Sequence, residues 1–328
     1  MPLDVDSPKI VIAGASSLLG VELREQLEAS RFAAVDFRLV DEELAAGTLT
    51  EMGEEAAVIQ AVDEDSFARA RFVFFAGSED FTRANLDAAR RGGGTVIDLS
   101  GGTLGATDMR LWHSGAEAQV GTGNVYAVLS APATAVVSLL DALTTIGLPR
   151  IGFIFFRPVS EAGRSGIEVL ESQTSHLLSF KSPGQAIFGT QVAFSLLNRY
   201  GEESREDLSK VRERIRKEVC PFVRKQGVAP TIQVVHAPVF YGYTFAAFAE
   251  AESAIKREKL AEVCEKAGFV LWKDEEGPLG NLAVGDAAMH LAPPETDLPP
   301  AATWWSWGAV DNIKLPAASA VKLAEKLI

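Results

Sequence analysis

A regular alternation of short apolar segments with helical patterns fills about the first 130 residues, and it constrains the fold more than any other feature of the chain. KIVIAG (9–14) predicts a buried strand that ends in glycine, and SLLGVELREQLEA (17–29) predicts the helix that follows it. Further elements are predicted as strands at VDFRLVD (35–41), AAVIQAV (56–62), RFVFFAG (71–77) and GTVIDLS (94–100), and as a helix at DFTRANLDAARRG (80–92). This alternation indicates βαβ units and therefore a Rossmann-like parallel sheet with helices on both faces.

The pattern changes after about residue 133, where the apolar segments become longer and often alternate with polar residues. Strands are predicted at 149–159, 231–240, 243–253 and 281–291, and helices at 166–180, 205–219 and 256–268. This order is typical of an α+β domain with a mostly antiparallel sheet. The segment 292–301 predicts a Pro-rich loop, and 315–328 predicts a closing amphipathic helix. The predicted fold class is therefore α/β.

The composition excludes several classes of partner. The 328 residues carry a net charge of −13 at pH 7, with no long run of lysine and arginine, so we expect no binding to nucleic acid or to an anionic membrane. Two cysteines supply neither a disulfide framework nor a Cys-x-x-Cys metal site, and His113, His176 and His290 lack metal-ligand spacing. No apolar stretch approaches the roughly 20 residues that span a bilayer, and residues 1–9 do not resemble a signal peptide. We expect a cytoplasmic protein without a metal.

The loop GASSLLG (14–20) follows the first predicted strand. Gly14 would permit a tight turn, Gly20 would allow the helix to pack closely on the strand, and Ser17 replaces the middle glycine of a dinucleotide loop. Two interpretations stay open: the loop cradles the phosphates of a dinucleotide, or its glycines serve only the turn. Asp41 suits the ribose hydroxyls of NAD and, with Glu42, would repel the 2′-phosphate of NADP. The alternative is a pair of solvated acids in a turn.

Several segments resemble the aspartate-semialdehyde dehydrogenase family. VFFAG (73–77) and GTVIDLSGG (94–102) look like its cofactor-proximal strand pair, and VSEAGRSGIEVLESQT (159–174) is similar to its serine–glycine segment. VDNIKLPAASAVKLAEKLI (310–328) resembles its closing helix, in which an Asp-Asn pair abuts the nicotinamide site. The resemblance runs over nearly the whole chain. It implies a Rossmann-like domain at 1–132 with 309–328, a dimerisation and substrate domain at 133–308, and a homodimer.

The same resemblance implies the contacts of a dinucleotide, and the two carboxylates at Asp41 and Glu42 favour NAD over NADP. The residues implied are Gly14, Ser16, Ser17, Leu18, Leu19, Gly20, Asp41, Ala76, Gly77 and Asn312. The family's 2′-phosphate-binding Ser-Arg segment aligns with Glu42 to Leu44, and an arginine that helps to hold phosphate falls near Leu104. A chain that binds no dinucleotide is the alternative.

Family enzymes form a thiohemiacetal on a cysteine, exchange hydride with NADP and release the acyl group to phosphate. The cysteine position falls on Ala133, and a methyl group cannot attack a carbonyl. The positions of the substrate-binding arginine, the histidine base and the orienting glutamine fall on His236, Tyr243 and Arg157. Tyrosine is a poor base near neutral pH, and histidine lacks the fixed fork with which arginine holds a carboxylate. The resemblance therefore implies that the family's chemistry is lost.

Other residues near this site have structural interpretations as well as functional ones. A paired lysine and glutamate of the family's substrate site map onto Lys210 or Glu213. Ser130 and Thr134 are predicted as caps at a helix start, because no base is close to them in sequence.

Further side chains are interpreted as packing residues. Cys220 and Cys264 lie in helical patterns without a local base, so a displaced nucleophile is not expected. The segment TWWSWG, with Trp304, Trp305 and Trp307, predicts a strand whose aromatic faces serve the core or a dimer contact.

Two hypotheses on function follow. In the first, the chain is a Usg-type paralogue that lacks the catalytic cysteine and histidine, is inactive as the family's enzyme and acts as a dimeric scaffold or sensor. In the second, it is an NAD(P)-dependent oxidoreductase that transfers hydride directly to or from a small acidic carbonyl compound, with Tyr243 as the acid. Arg157 ends a buried strand and needs an anionic partner, either Glu161 or a carboxylate ligand. A heterodimer with an active paralogue is the alternative to a homodimer.

Overall fold

The computed structural model describes residues 9–52, 55–114, 125–147, 150–273, 276–280, 285–296 and 302–328. The chain divides into two compact units, the first formed by Met1–Leu129 with Pro316–Ile328 and the second by Ser130–Leu315. Residues 281–284 of one predicted strand, residues 297–301 of the predicted loop and residues 1–8 lie outside the described residues. No helix in the described part of the chain is long and apolar enough to cross a bilayer.

The first unit is built on a seven-stranded sheet in which every strand pair is parallel. Its elements in chain order are β1 (Lys9–Ala13), α1 (Leu18–Glu28), β2 (Asp36–Asp41), β3 (Leu49–Met52), β4 (Glu55–Val58), β5 (Gln60–Ala61), β6 (Ala70–Phe75), α2 (Glu79–Arg91), β7 (Thr95–Asp98), β8 (Met109–Trp112) and β9 (Val125–Val128). The strand order is β5-β2-β1-β6-β7-β9-β8. The predicted parallel sheet is confirmed.

One strand prediction in this unit is wrong in detail. The segment predicted as a single strand at 56–62 is divided at Ile59, whose buried side chain joins the core while the chain passes from one sheet to another. On the N-terminal side of Ile59, β4 pairs with β3 in a separate antiparallel hairpin. On its C-terminal side, the two-residue strand β5 pairs with β2 of the main sheet.

Alternating side chains of β1 show how the parallel sheet is covered. Ile10 and Ile12 belong to a core cluster with residues of α1 and of the closing helix α7 (Lys314–Lys326). Val11 and Ala13 belong to a second cluster, which contains Phe81 of α2. Because successive side chains of a strand point to opposite faces, the sheet carries α1 and α7 on one face and α2 on the other.

The second unit contains a six-stranded mixed sheet with the order β11-β10-β12-β15-β14-β13. Its elements are α3 (Ala131–Thr144), β10 (Arg150–Arg157), α4 (Gly163–Leu178), α5 (Leu208–Gln226), β11 (Thr231–His236), β12 (Tyr243–Glu250), α6 (Arg257–Lys266), β13 (Phe269–Leu271), β14 (Met289–Leu291) and β15 (Thr303–Val310). The central pairs are antiparallel, whereas β11 runs parallel to β10 and β13 parallel to β14. The predicted, mostly antiparallel sheet is confirmed.

The two faces of the mixed sheet differ in exposure. Phe153, Phe155 and Phe245 pack against one another on the buried face. On the opposite face Ile154 is 38% exposed and Trp305 is 39% exposed. The strand of three tryptophans predicted from TWWSWG is therefore divided between the faces: Trp304 is buried, while Trp305 and Trp307 stand on the exposed face.

Candidate functional site

The two glycines of the loop after β1 are required by backbone contacts. Gly14 has φ +87°, and a Cβ there would lie 2.2 Å from the backbone nitrogen of Gly77. A Cβ on Gly20 would lie 2.3 Å from the carbonyl oxygen of Gly14. Both glycines therefore serve the strand–helix turn.

The polar groups of this loop are largely paired with the protein itself. Ser17 is the N-cap of α1: its hydroxyl accepts a hydrogen bond from the Gly20 N–H at 2.8 Å and donates one to the Ala76 carbonyl at 2.7 Å. The Ser16 N–H donates to Asp41 Oδ2 at 2.7 Å. Leu18 and Leu19 open α1, where N–H groups have no acceptor inside the helix. These last two amides are the ones best placed to meet an anion.

Asp41 is buried rather than solvated, so the alternative of two solvated acids holds only for Glu42. Asp41 Oδ1 accepts the Glu42 N–H at 2.8 Å, and Oδ2 accepts the Ser16 N–H. A carboxylate has about four acceptor positions, so two remain for hydroxyl groups. The negative charge of Asp41 is thereby fixed directly beside the glycine loop.

A second buried carboxylate in this unit escaped the sequence reasoning. Asp98, at the end of β7, accepts four hydrogen bonds of 2.7–2.8 Å from the N–H and hydroxyl groups of Ser100 and Thr103. These bonds fix the turn that leads to Leu104, the position implied for a phosphate-binding arginine. The signal for Asp98 was present as a carboxylate that ends a buried strand and is followed by hydroxyl residues.

In the second unit, three residues implied by the resemblance come together at one end of the mixed sheet. Arg157 ends β10 and stands in register with His236, which ends the neighbouring parallel strand β11. Tyr243 begins β12, which flanks β10 on its other side. All three are buried. Ala133, in the first turn of α3, is completely buried as well.

Arg157 is paired with a residue that the sequence did not suggest. Its Nη2 donates to Glu206 Oε2 at 2.7 Å and its Nη1 donates to the Tyr200 hydroxyl at 2.9 Å. The predicted partner Glu161 contributes only through its charge. Burial by itself lowers the pKa of Arg157, but the surrounding carboxylates and tyrosines, Tyr243 included, outweigh it and raise that pKa above its usual value.

His236 is held in its neutral form. The Tyr200 hydroxyl lies 3.2 Å from His236 Nδ1, and the two rings meet edge to face at 5.5 Å. Burial lowers the pKa of His236 to about 4, with Arg157 acting in the same direction and the backbone at Val192 in the opposite one. Burial also raises the pKa of Tyr200, and Arg157 partly offsets that rise. A neutral histidine is no clamp for a carboxylate.

Tyr243 belongs to a neighbouring hydrogen-bond network. Its hydroxyl donates to Glu161 Oε2 at 3.1 Å, and Asn312 Nδ2 donates to Glu161 Oε1 at 3.0 Å. Asn312 Oδ1 accepts the Gly242 N–H at 2.9 Å. Burial, followed by the charge of Glu161, raises the pKa of Tyr243 well above its usual value. The phenol is therefore a paired and weakly acidic group.

The start of α3 is tied to α5 by a carboxylate that the sequence reasoning missed. Ser130 takes the N-cap position, but its hydroxyl donates to the buried Glu218 at 2.5 Å, and its N–H donates to the same Oε2 at 3.2 Å. Arg214 Nε donates to Glu218 Oε1 at 2.9 Å. The Thr134 hydroxyl donates to the Ser130 carbonyl. Ser130 is therefore confirmed at the N-cap position, although its hydroxyl bonds Glu218 and not a helix N–H, whereas the prediction of Thr134 as a cap is wrong because Thr134 lies inside the first turn.

Several other candidates lie away from these networks. Glu213 forms an exposed ion pair with Lys217, and Lys210 is exposed. Cys220 is exposed, while burial raises the pKa of the Cys264 thiol to about 12. Over the ranges that the structure covers, no three His, Cys, Asp or Glu residues form a cluster that could hold a metal ion.

Comparisons with known proteins agree with this architecture. Residues 9–111 match the semialdehyde dehydrogenase NAD binding domain, and residues 139–291 match the semialdehyde dehydrogenase dimerisation domain. A USG-1 protein homolog from Azotobacter vinelandii is 28% identical over 327 residues, covering 97% of each chain. A USG-1 protein homolog from Pseudomonas aeruginosa is 25% identical with the same coverage. A solved structure of a "probable aspartate-semialdehyde dehydrogenase" from P. aeruginosa has a TM-score of 0.88 at 23% identity, over 98% of each chain.

The first unit therefore carries a domain of the NAD-binding class and the second a domain of the dimerisation class. The chain belongs to the semialdehyde dehydrogenase family, which confirms the predicted resemblance.

The depressed pKa of His236 predicts a pH-dependent stability. His236 has a pKa of about 4 when folded, against about 6.5 when unfolded, so its contribution is complete above pH 6.5 and is lost as the pH falls towards 4. Between pH 7 and pH 5 the free energy of unfolding should fall by about 2 kcal/mol through this residue. Urea unfolding of His236→Gln should show a correspondingly smaller loss.

His113 supplies an independent check in the first unit, because burial lowers its pKa to about 4 as well. The variant His113→Gln should reduce the pH dependence by a similar amount, and the double variant should combine both effects. The same loss between pH 7 and pH 5 in the wild type and in His236→Gln would contradict the prediction.

Proposed function

We propose that this chain is a non-catalytic, dimeric binding protein of the semialdehyde dehydrogenase family. The observation that carries the proposal is Ala133, a buried methyl group in the first turn of α3, at the position implied for the family's cysteine. A helix N-terminus can stabilise a thiolate there, but alanine offers nothing to stabilise.

The neighbouring hydroxyls do not replace the missing thiol. The Ser130 hydroxyl is committed to Glu218, whose second oxygen is held by Arg214, and the Thr134 hydroxyl is committed to a backbone carbonyl. Cys264 lies on α6, with a pKa of about 12 that leaves it protonated at neutral pH. Covalent attack by a thiol therefore has no group to perform it in this turn.

Direct hydride transfer with Tyr243 as the acid is not favoured by any contact of that residue. Its proton is directed to Glu161, and its raised pKa makes the phenol a weaker acid than free tyrosine. His236 is buried and neutral: its Nδ1 meets the Tyr200 hydroxyl, and its Nε2 has no hydrogen-bond partner among the described residues. These contacts support a binding role over catalysis.

A turnover assay tests the catalytic part of the proposal. Incubated with aspartate semialdehyde, phosphate and either NADP or NAD, the purified chain should reduce no cofactor above the rate without protein. Enzymes commonly reach about 1 s⁻¹ or more, so turnover in that range would overturn the proposal. If slower turnover is seen, Cys220→Ser and Cys264→Ser show whether either thiol causes it.

For the NAD-binding domain we propose NAD as the preferred dinucleotide. Asp41 keeps two acceptor positions for ribose hydroxyls, and its fixed negative charge opposes a 2′-phosphate at the same place. Leu18 and Leu19 present the amides that suit a pyrophosphate. Because most of the other loop donors are paired internally, we expect weak binding, in the millimolar range.

Calorimetric titration of NAD and NADP tests this preference. Asp41→Asn removes the charge and should shift the ratio of the two affinities towards NADP by about tenfold, since a like charge near a phosphate is worth roughly 1–3 kcal/mol. Glu42→Gln removes an exposed charge from the adjacent residue and should shift the ratio much less. Absence of binding of both dinucleotides to the wild type would exclude the cofactor proposal.

A homodimer is proposed on the exposed face of the mixed sheet. Ile154 of β10 lies beside Ala246 of β12, and Phe248 packs against Trp305 of β15. These side chains line an open hollow of about 280 Å³ together with Gly152, Thr231 and Gln233. An apolar face of this kind, in a domain of the dimerisation class, is typical of a surface covered by a second copy.

Replacing Ile154 with glutamate tests the dimer. The new carboxylate would be buried without a partner, so the dissociation constant should rise about 100-fold or more. Sedimentation equilibrium measures this constant directly. Leu44→Glu places the same charge on an exposed residue of the first unit and should leave dimerisation unchanged. A wild-type monomer at micromolar concentration would rule the homodimer out.

A further inference from the structure

The Arg157 guanidinium has two edges with different surroundings. Its Nη1 donates to the Tyr200 hydroxyl, which in turn meets His236, so this edge is satisfied inside the unit. The other edge carries the parallel Nε–H and Nη2–H, the fork that binds both oxygens of a carboxylate. The Nε/Nη2 edge is therefore the part of Arg157 at which a ligand would bind.

Only half of this edge is used. Nη2 donates to Glu206 Oε2 at 2.7 Å, whereas Nε is buried and has no hydrogen-bond partner among the described residues. The Arg157 side chain is 3% exposed, so water does not satisfy this nitrogen at the surface. A purely structural ion pair would be expected to use both donors, because an unpaired buried donor is unfavourable.

The backbone of Glu206 is fixed by hydrogen bonds that do not involve its carboxylate. Its N–H donates to the Ser204 hydroxyl at 3.0 Å, and that hydroxyl donates to the Glu206 carbonyl at 2.8 Å. The side chain is 27% exposed, and Glu206 lies two residues before α5 begins at Leu208. The carboxylate can therefore rotate into solvent without any change in the backbone around it.

We propose that the Nε/Nη2 edge of Arg157 is a binding site for a small carboxylate ligand, and that Glu206 is an internal carboxylate that occupies half of it and must turn outward when the ligand binds. The site deepens the proposed binding role and rests on it. The ligand carboxylate would bond Nε and Nη2 together, which satisfies the donor left unpaired in the free chain.

Charge explains why Glu206 opposes the ligand. Arg157 carries one positive charge, while Glu161 and Glu206 are the carboxylates beside it and His236 is neutral. A ligand carboxylate that enters while Glu206 is still in place meets an excess of negative charge. Glu206 thus sets the concentration at which a carboxylate can bind.

Titration with succinate tests the proposal, with uncharged succinamide at matched ionic strength as the comparison. Glu206→Gln should bind succinate at least tenfold more tightly than the wild type, because the competing charge is gone. The Arg157 ¹⁵Nε resonance, assigned by its loss in Arg157→Lys, should shift with succinate and not with succinamide. Combining Arg157→Lys with Glu206→Gln should abolish the binding, since lysine has no fork.

Glu203→Gln is the matched control, because Glu203 is an exposed carboxylate of the same loop. It should leave the succinate affinity at the wild-type value. Equal affinities in Glu206→Gln and Glu203→Gln, equal binding of succinamide, or an unchanged Nε resonance would each overturn the proposal. None of these outcomes bears on the turnover assay, so a failure here is distinguishable from a failure of the proposed function. Glu206→Gln keeps the test valid even if Arg157→Lys does not fold.

Discussion

A buried guanidinium at the end of β10 is the group on which this end of the mixed sheet depends. Arg157 remains charged, and a charge in this position is stable only with anions and hydrogen-bond acceptors around it. Glu206 and Tyr200 supply direct contacts, and Glu161 supplies a further charge. The neutrality of His236, the register partner of Arg157, follows from the same burial and the same positive charge.

Internal pairing of polar groups recurs in both units. Asp41 accepts an amide of the glycine loop, Asp98 is saturated by four donors, and Glu218 holds the start of α3. In each case a protein carboxylate accepts hydrogen bonds from backbone or hydroxyl donors of a turn or a helix start. Donors that are already hydrogen-bonded within the protein stabilise the free chain and lower its affinity for anions. The pattern fits weak, selective binding better than chemistry on a covalently held substrate.

The sequence was sufficient for the fold because its apolar periodicity is strong and local. Many of the strands and helices of both units follow from it, although β3, β8 and β13 were not predicted. Arg157 ends β10 close to the predicted boundary, whereas β11 ends at His236, four residues before the end predicted at 240. Where the pattern was weak, it failed, as at 56–62, because a run of apolar residues does not show that the chain changes sheets at Ile59.

The partners of the site could not be predicted in the same way. Tyr200 lies 43 residues beyond Arg157, in a segment that forms neither helix nor strand, and Glu206 lies 49 residues beyond it, inside the helical pattern predicted at 205–219 but just before α5 begins at Leu208. Glu218 lies 88 residues from Ser130, on one of many charged positions of α5. Long-range pairs of this kind depend on tertiary packing, and nothing local distinguishes Glu218 from the exposed Glu213.

A crystal structure of Glu206→Gln grown with succinate tests the central role of Arg157 most directly. The predicted result is one carboxylate of succinate on Arg157 Nε and Nη2, with Tyr200 still on Nη1 and residue 206 turned towards solvent. Succinate bound elsewhere, or an Arg157 whose Nε stays unpaired beside an empty position, would contradict it.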